Sequence, residues 1–546
     1  MSPTHEVTNQ VPPLVDFNTA AHPALLAGLE REGAAWAVDE VTELGAFAGS
    51  QQVQEWARLA ERTPPVLQTH DRYGHRIDEV EYTPAYHELM RAAVANGVHA
   101  SAWADDRPGA HVARAARMIA WSQTDAGHTC PISMTYSAVP ALRHQPDLAA
   151  RYENLLTSRD YDFGLREPST KRGLIAGMSM TEKQGGSDVR ANTTSARRAA
   201  DGAYRIVGHK WFTSAPMSDM FLTLAQAPGG LSCFLLPRVL PDGTRNPIRL
   251  QRLKDKLGNK SNASAEIEYE DATGWLVGEE GRGVRTIIDM VNMTRLDCVL
   301  GTTSGMLTGL RQAVHHATHR SAFGRDLIDQ PAMVNVLADL AVEAEAAVVV
   351  AMRLAGAVDR TAAGNEHEAL FRRIALAATK YWICKRGPAH ANEALECLGG
   401  NGYVEESGMP KLYREMPLMS IWEGSGNVAA LDVLRAMATS PMSVEALFTE
   451  LETATGADDR LDQAIIALRK QIGDLDEPEY AARRLVERLA LCLQGALLVR
   501  DGNPAVADAF CASRLSGDWG VAFGTLPTGI DTTAILERAH PFRSIS

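Results

Sequence analysis

Between about Gly173 and Asp271 the hydrophobic pattern switches from a helical period to a strand-like one, and this switch constrains the fold most. The runs GLIAGMSMTE, YRIVGHKWFTS, MFLTLAQA, SCFLLP and AEIEYED are short and rich in β-branched and aromatic residues. DGAY, APGG and LPDGTRN punctuate them as turns, so this segment reads as a small all-β domain. On either side the apolar residues recur three and four apart. Residues 84–95 and 111–124 carry that period upstream. Downstream, residues 284–319, 331–360 and 366–398 are long enough for a bundle with short connections. The bundle pattern breaks at Gly399–Gly402, a further helix follows Glu423, and residues 461–472 and 478–498 read as helices of a separate C-terminal region. The expectation is an α+β, mainly helical chain: a helical domain over residues 1–172, an antiparallel β domain over 173–283, a helical bundle over 284–439 and a helical extension over 440–546. The Pro-containing opening stretch reads as an arm on a neighbouring domain or subunit, or as a disordered lead.

At 546 residues the chain is too long for one hydrophobic core, which agrees with several domains. No apolar run reaches the ~20 residues of a membrane-spanning helix. The N-terminus lacks the basic-then-apolar order of a signal peptide. Seven cysteines are scattered and never spaced as CxxC, so a zinc site or disulfide framework is not expected and a reducing cytoplasm fits best. The net charge of −13 argues against a broad non-specific grip on nucleic acid.

Three segments carry residue types suited to chemistry. In MTEKQGGSDV, residues 180–189, Gly185 and Gly186 allow a tight turn and close approach to a ligand. Thr181 and Ser187 add hydroxyls, and exposed N–H groups there suit a phosphate or a flavin edge; a plain polar β-turn has the same spacing. In GHKWFTS, Trp211 and Phe212 offer a platform for a flat ring and Ser214 a hydrogen bond, although an aromatic filling the β core is the commoner use. In IWEGSGN, Glu423 beside Trp422 and ahead of a Gly-Ser-Gly turn reads equally as a desolvated general base or as a glutamate favoured by a helix start. GEEGRG lacks the strand-then-helix setting of a dinucleotide fingerprint, His315, His316 and His319 lack a partner at metal spacing, and SGN and TTSG lack the GxSxG elbow.

Taken in order, these motifs resemble the acyl-CoA dehydrogenase family over residues 173–435, and more loosely over 20–172. MTEKQGGSD is similar to the family's MTEPxAGSD flavin loop. GHKWFTS is similar to GxKxWIT, with Phe212 where the Trp and Ser214 where the Thr usually stand. RSAFG matches RxxFG, CLGGNGY matches GGxGY, and IWEGSGN matches IYEGT. The resemblance implies a homotetramer with one FAD per subunit. It implies flavin contacts from Met178, Met180, Thr181, Gly185, Gly186, Ser187, Phe212, Thr213 and Ser214, and from Ile421, Trp422, Gly424, Ser425 and Asn427. Arg320, Phe323 and Gly400 would reach the FAD of a neighbouring subunit, Glu423 would take the substrate α-proton, and Arg295 would lie near that base. The implied reaction is α,β-dehydrogenation of an acyl-CoA. Trp422 is bulkier than the Tyr often found beside the base, which points to a short or branched acyl group such as isovaleryl.

Within the family, MTEKQGGSD, GHKWF, GGLSCF, RLKDKLGN, GWLVGEEG, MTRLDC, KLYREMP and SIWEGSGN, with the extra C-terminal region, are most similar to the branch induced by DNA alkylation, the adaptive response. That likeness suggests double-stranded DNA as a partner of the C-terminal region. Residues 441–546 carry 10 Lys+Arg against 16 Asp+Glu, a net 10 − 16 = −6, and leave only Arg483, Arg484 and Arg488 on one helical stretch, with Arg538 and Arg543 further on. A third reading keeps fold and flavin and makes the protein a flavin oxidase acting on a non-thioester.

Overall fold

The computed structural model describes residues 4–540, and these fall into two compact units. One contains residues 52–110 and 124–297; the other contains residues up to Gln51, then 111–123, and those from Cys298 onward.

The first unit is built on a seven-stranded sheet. Its strands are β3 (Ala176–Ser179), β4 (Ser195–Arg198), β5 (Tyr204–Ser214), β6 (Met220–Ala227), β7 (Gly230–Pro237), β8 (Ile248–Leu253) and β9 (Ser264–Val277). The order is β3-β6-β4-β5-β9-β7 with β8 on β9, and β6 also pairs with β7, which closes the path on itself. Most pairs are antiparallel, while β3 and β4 each run parallel to β6. Ile206, Phe234, Leu236, Ile267 and Tyr269 fill the interior. The strands read from apolar runs are all present. β4 (SARR) and β8 (IRLQRL) were not expected, because alternate charged residues dilute their apolar face. A hairpin in the N-terminal region was also not expected: β1 (Val66–His70) and β2 (Arg76–Glu81) are polar, yet Val80 enters the β core and Asp78 accepts from the Leu250 N–H.

The second unit is helical. Its long helices are Pro331–Ala362, Glu366–Glu396 and the part of Gly283–His319 from Cys298 onward, all within a few residues of the periodic segments. Pro331–Ala362 is buried without interruption from Leu337 to Val358, because other helices cover every face. The C-terminal region adds Met442–Glu452, Asp459–Gly473, Pro478–Asp501, Pro504–Phe510 and Thr532–Ala539. Asp458 starts the second of these by accepting from the Arg460 and Leu461 N–H groups. Arg353 of the bundle is buried between Glu368 and Glu450, which ties the extension to the bundle.

The described part of the opening stretch is an arm. Thr19 O accepts from Arg311, Pro12 O pairs with His315 Nε2, and Asn9 brackets the backbone of Ser321. No described helix is long and apolar enough to cross a membrane, and all seven cysteines are free and buried.

Candidate functional site

The expected site residues lie on both compact units, and the β unit holds the MTEKQGGSDV turn. β3 ends at Ser179, and the chain then folds back so that Gly185 N donates to Glu182 O at 3.0 Å. Gly185 has φ +142°, a region open to glycine alone. A Cβ on Gly186 would lie 2.4 Å from Thr181 Oγ1, so a side chain there would have to displace that hydroxyl. Residues 183–188 are exposed.

The structure brings this turn against the GHKWFTS strand. Trp211 N donates to Thr181 O at 2.8 Å, and the Ser179 and Thr213 hydroxyls meet at 2.6 Å. The Thr213 side chain is therefore turned into the sheet, while Ser214 Oγ meets Ser264 Oγ at 3.2 Å. The two aromatics separate in role. Lys254 Nζ stands 3.2 Å over the Trp211 ring, with Lys183 and Arg252 also against it, whereas Phe212 is 50% exposed.

Beneath the turn lies a pair that motif matching did not single out. Lys210 Nζ is 3.0 Å from Glu182 Oε1, and both side chains are fully buried. Lys210 also donates to Leu224 O at 2.8 Å. Burial pushes the Glu182 carboxyl up, but donors from Thr194, Thr193 and Lys210 outweigh it and hold the group at about 2. Burial lowers Lys210 to about 8 against the pull of Glu182. A lone lysine inside an apolar strand is the signal that marks such a pair in a sequence.

The helical unit holds the IWEGSGN turn. Glu423 stands three positions ahead of the helix Gly426–Thr439, so it is not a first-turn glutamate of that helix. It is half-buried with φ +58°, and Gly424 follows at +106°. Lys380, 1% exposed in the middle of Glu366–Glu396, donates to Trp422 O at 2.9 Å and to Gly424 O. Trp422 is half-buried, and its buried Nε1 has no hydrogen-bond partner among the described residues. Asn427 Oδ1 accepts from Arg483 at 2.8 Å, while Ile421 and Ser425 are exposed.

The other expected residues lie apart from this turn in the chain. Arg320 donates to Asn9 O and starts a small hairpin whose tip, Phe323, is fully exposed at φ +53°. Gly400 lies in the short helix Gly399–Tyr403, whose Tyr403 is 83% exposed. Arg295 is buried on Gly283–His319.

The arginines of the C-terminal region mostly serve the fold. Arg488 meets Gln471, Arg500 meets Glu450 and Asp501, and Arg538 meets Glu345. Arg484 has no partner among the described residues, and Arg543 lies outside them.

The family model for the adaptive response protein AidB N-terminal domain matches residues 9–163. The acyl-CoA dehydrogenase middle and C-terminal domain models match residues 177–272 and 281–438. The chain is 47% identical over 524 residues to the putative acyl-CoA dehydrogenase AidB of Escherichia coli, covering 95% of this chain and 96% of that protein. Caenorhabditis elegans ACDH-11 in complex with C11-CoA superposes with TM-score 0.87 at 27% identity, covering 94% of each chain. A Bacillus anthracis acyl-CoA dehydrogenase complexed with FAD shares the fold, with TM-score 0.64 at 18% identity over 98% of this chain and 88% of that one. Members of this family bind FAD, and the exposed glycine turn, where a Gly186 Cβ would crowd the Thr181 hydroxyl, with the half-exposed Phe212 ring on the adjoining strand, fits such a group. The chain belongs to the acyl-CoA dehydrogenase family, in its AidB branch.

Proposed function

We propose that this protein dehydrogenates an acyl thioester between its α and β carbons, with Glu423 as the base. The observation that carries the reading is the Glu423 turn: the carboxylate is lifted out of the following helix on a left-handed, half-buried turn between Trp422 and Gly424. Bound FAD would supply the acceptor for the hydride that leaves the β carbon. The α-proton passes to the Glu423 carboxylate, and the two electrons of that C–H bond become the new C=C bond. The turn at 183–188, whose residues are exposed, would hold the cofactor's diphosphate through its N–H groups. Phe212 and Ser214 would hold its ring. Trp422 narrows the acyl site, so a short or branched acyl group such as isovaleryl is the proposed substrate.

Phe323 and Tyr403, both strongly exposed, support self-association through the Arg320 hairpin and the Gly400 turn, with the tetramer as the proposed assembly. A protective role through DNA would have to draw mostly on arginines already paired within the fold. The test is anaerobic titration of the FAD-loaded protein with isovaleryl-, butanoyl- and undecanoyl-CoA. Bleaching of the flavin, fastest with isovaleryl-CoA, is the expected result. Faster bleaching by the C11 thioester would overturn the substrate assignment, and no bleaching by any thioester would overturn the dehydrogenase. Oxygen uptake after bleaching separates an oxidase from a dehydrogenase.

A further inference from the structure

We infer that Lys380 is a positioning residue, which sets the geometry of the Glu423 turn from inside the helix Glu366–Glu396. This rests on the reading of Glu423 as the base. A glutamate at φ +58° sits in the left-handed region, where Cβ crowds the following carbonyl. Such a conformation persists only where its surroundings over-determine it. The turn is not held by the helix that follows, since that helix begins only at Gly426.

Lys380 supplies the constraint. Its ammonium donates to the carbonyl oxygens of Trp422 and Gly424, the two residues on either side of Glu423. One donor group bonded to the 422–423 peptide and to the 424–425 peptide spans Glu423 and Gly424, and so constrains the backbone that aims the Glu423 side chain. The burial of Lys380 sharpens the point. It is 1% exposed, and its ammonium pairs with no carboxylate among the described residues. A buried cation without a counter-ion is costly, and a Leu or Met would fill an apolar helix face at no such cost. What Lys adds is a charge-assisted bond to each of two carbonyls, and these are stronger than neutral bonds. Placing the clamp in the middle of a long helix gives a mobile turn a rigid reference.

The test is Lys380→Met in the full, FAD-loaded chain. The expected result is unchanged flavin content and an acyl-CoA Kd within threefold of wild type. Flavin bleaching should slow at least tenfold, and amide hydrogen exchange at residues 421–425 should quicken at least tenfold. Unchanged exchange with bleaching within twofold would overturn the proposal. If the Met variant does not fold, Lys380→Ala refolded with ethylamine takes its place. Recovery of the bleaching rate in proportion to amine supports the clamp. A protein that stays unfolded, or folds without recovering rate, shows that Lys380 serves the bundle alone. If the wild type is bleached by no acyl-CoA, the reading of Glu423 as base fails, and the exchange measurement still decides whether Lys380 holds the turn.

Discussion

Arg514, fully buried in the π-helical turn Cys511–Leu515, donates to the Glu343 carboxylate at 3.0 Å, deep in the helical unit. Arg386 reaches the same carboxylate at 3.2 Å, and Asp339 is a second anionic partner of Arg514. The Trp519 ring lies 4.6 Å from the Arg514 guanidinium and 5.4 Å from that of Arg386. The C-terminal extension is thus fastened to Pro331–Ala362 and Glu366–Glu396 by charges taken out of water. An ion cluster of this kind tolerates removal of one partner poorly, because the charges left behind remain buried.

Arg514→Met should therefore destabilise the protein by about 3–5 kcal/mol, since Asp339 and Glu343 would lose their shared cation. Denaturant unfolding measures the loss, and limited proteolysis should cut the C-terminal region first. A change below about 1 kcal/mol would show that the cluster contributes little to the fold.

The same carboxylate predicts acid lability. Burial raises the Glu343 carboxyl, but Arg386 and Arg514 outweigh burial and hold it at about 2, below its ordinary 4.5. A folded value below the unfolded one stabilises the protein above pH 4.5, and that stabilisation is lost as pH falls from 4.5 toward 2. The Tm should be nearly flat from about pH 5 to 7 and fall below that range, and Glu343→Gln should have a shallower acid slope. An acid slope identical to wild type would sink the assignment.

The helices and the apolar strands were legible in the sequence because each shows one clear period over many residues. Residues 84–95 carried that pattern to the very bounds of the observed helix Pro84–Ala95. β4 and β8 escaped because their stability comes from pairing with β5, β6 and β9 and not from their own apolar content. At the candidate site, Glu423, Phe212 and the glycine turn were visible as residue types at family spacing. The left-handed backbone of Glu423 was not, and neither was the distinction between Trp211 and Phe212. Both involve tertiary partners distant in sequence: Lys380 bonds the carbonyls on either side of Glu423, and Arg252 joins Lys254 against Trp211.

Asn9 pairs with Ser321 in both directions, its Nδ2 donating to the Ser321 carbonyl and its Oδ1 accepting from the Ser321 N–H, each at 2.8 Å. The arm thereby steadies the hairpin that presents Phe323. Asn9→Ala removes two hydrogen bonds worth about 0.5–1.5 kcal/mol each, so self-association should weaken several-fold with little change in Tm. Sedimentation at graded protein concentrations checks this; an unshifted dissociation midpoint would remove the arm from assembly.

Glu423→Gln keeps the size and half-buried setting of the side chain but cannot accept the α-proton. Flavin bleaching by an acyl-CoA that reduces the wild type should slow by about 10²–10⁴ with FAD retained. A loss of less than tenfold would move the base elsewhere.

Lys210 and Glu182 allow a sharper test, because each has partners besides the other. Lys210 donates to the Leu224 carbonyl, and Glu182 accepts from Thr193 and Thr194. Lys210→Met leaves a buried carboxylate without its cation and should cost about 3–5 kcal/mol. Glu182→Gln preserves an oxygen for the threonine donors and should cost less. The double variant leaves no buried charge at this place, so it should be more stable than Lys210→Met alone, a coupling that a double-mutant cycle reads directly. FAD affinity should fall in Lys210→Met as well, since this pair lies under the turn at 183–188 and Trp211 N holds that turn through Thr181 O. Strict additivity of the two single changes would mean that the pair is adjacent without being coupled, and the turn would then owe its shape to Gly185 and Gly186 alone.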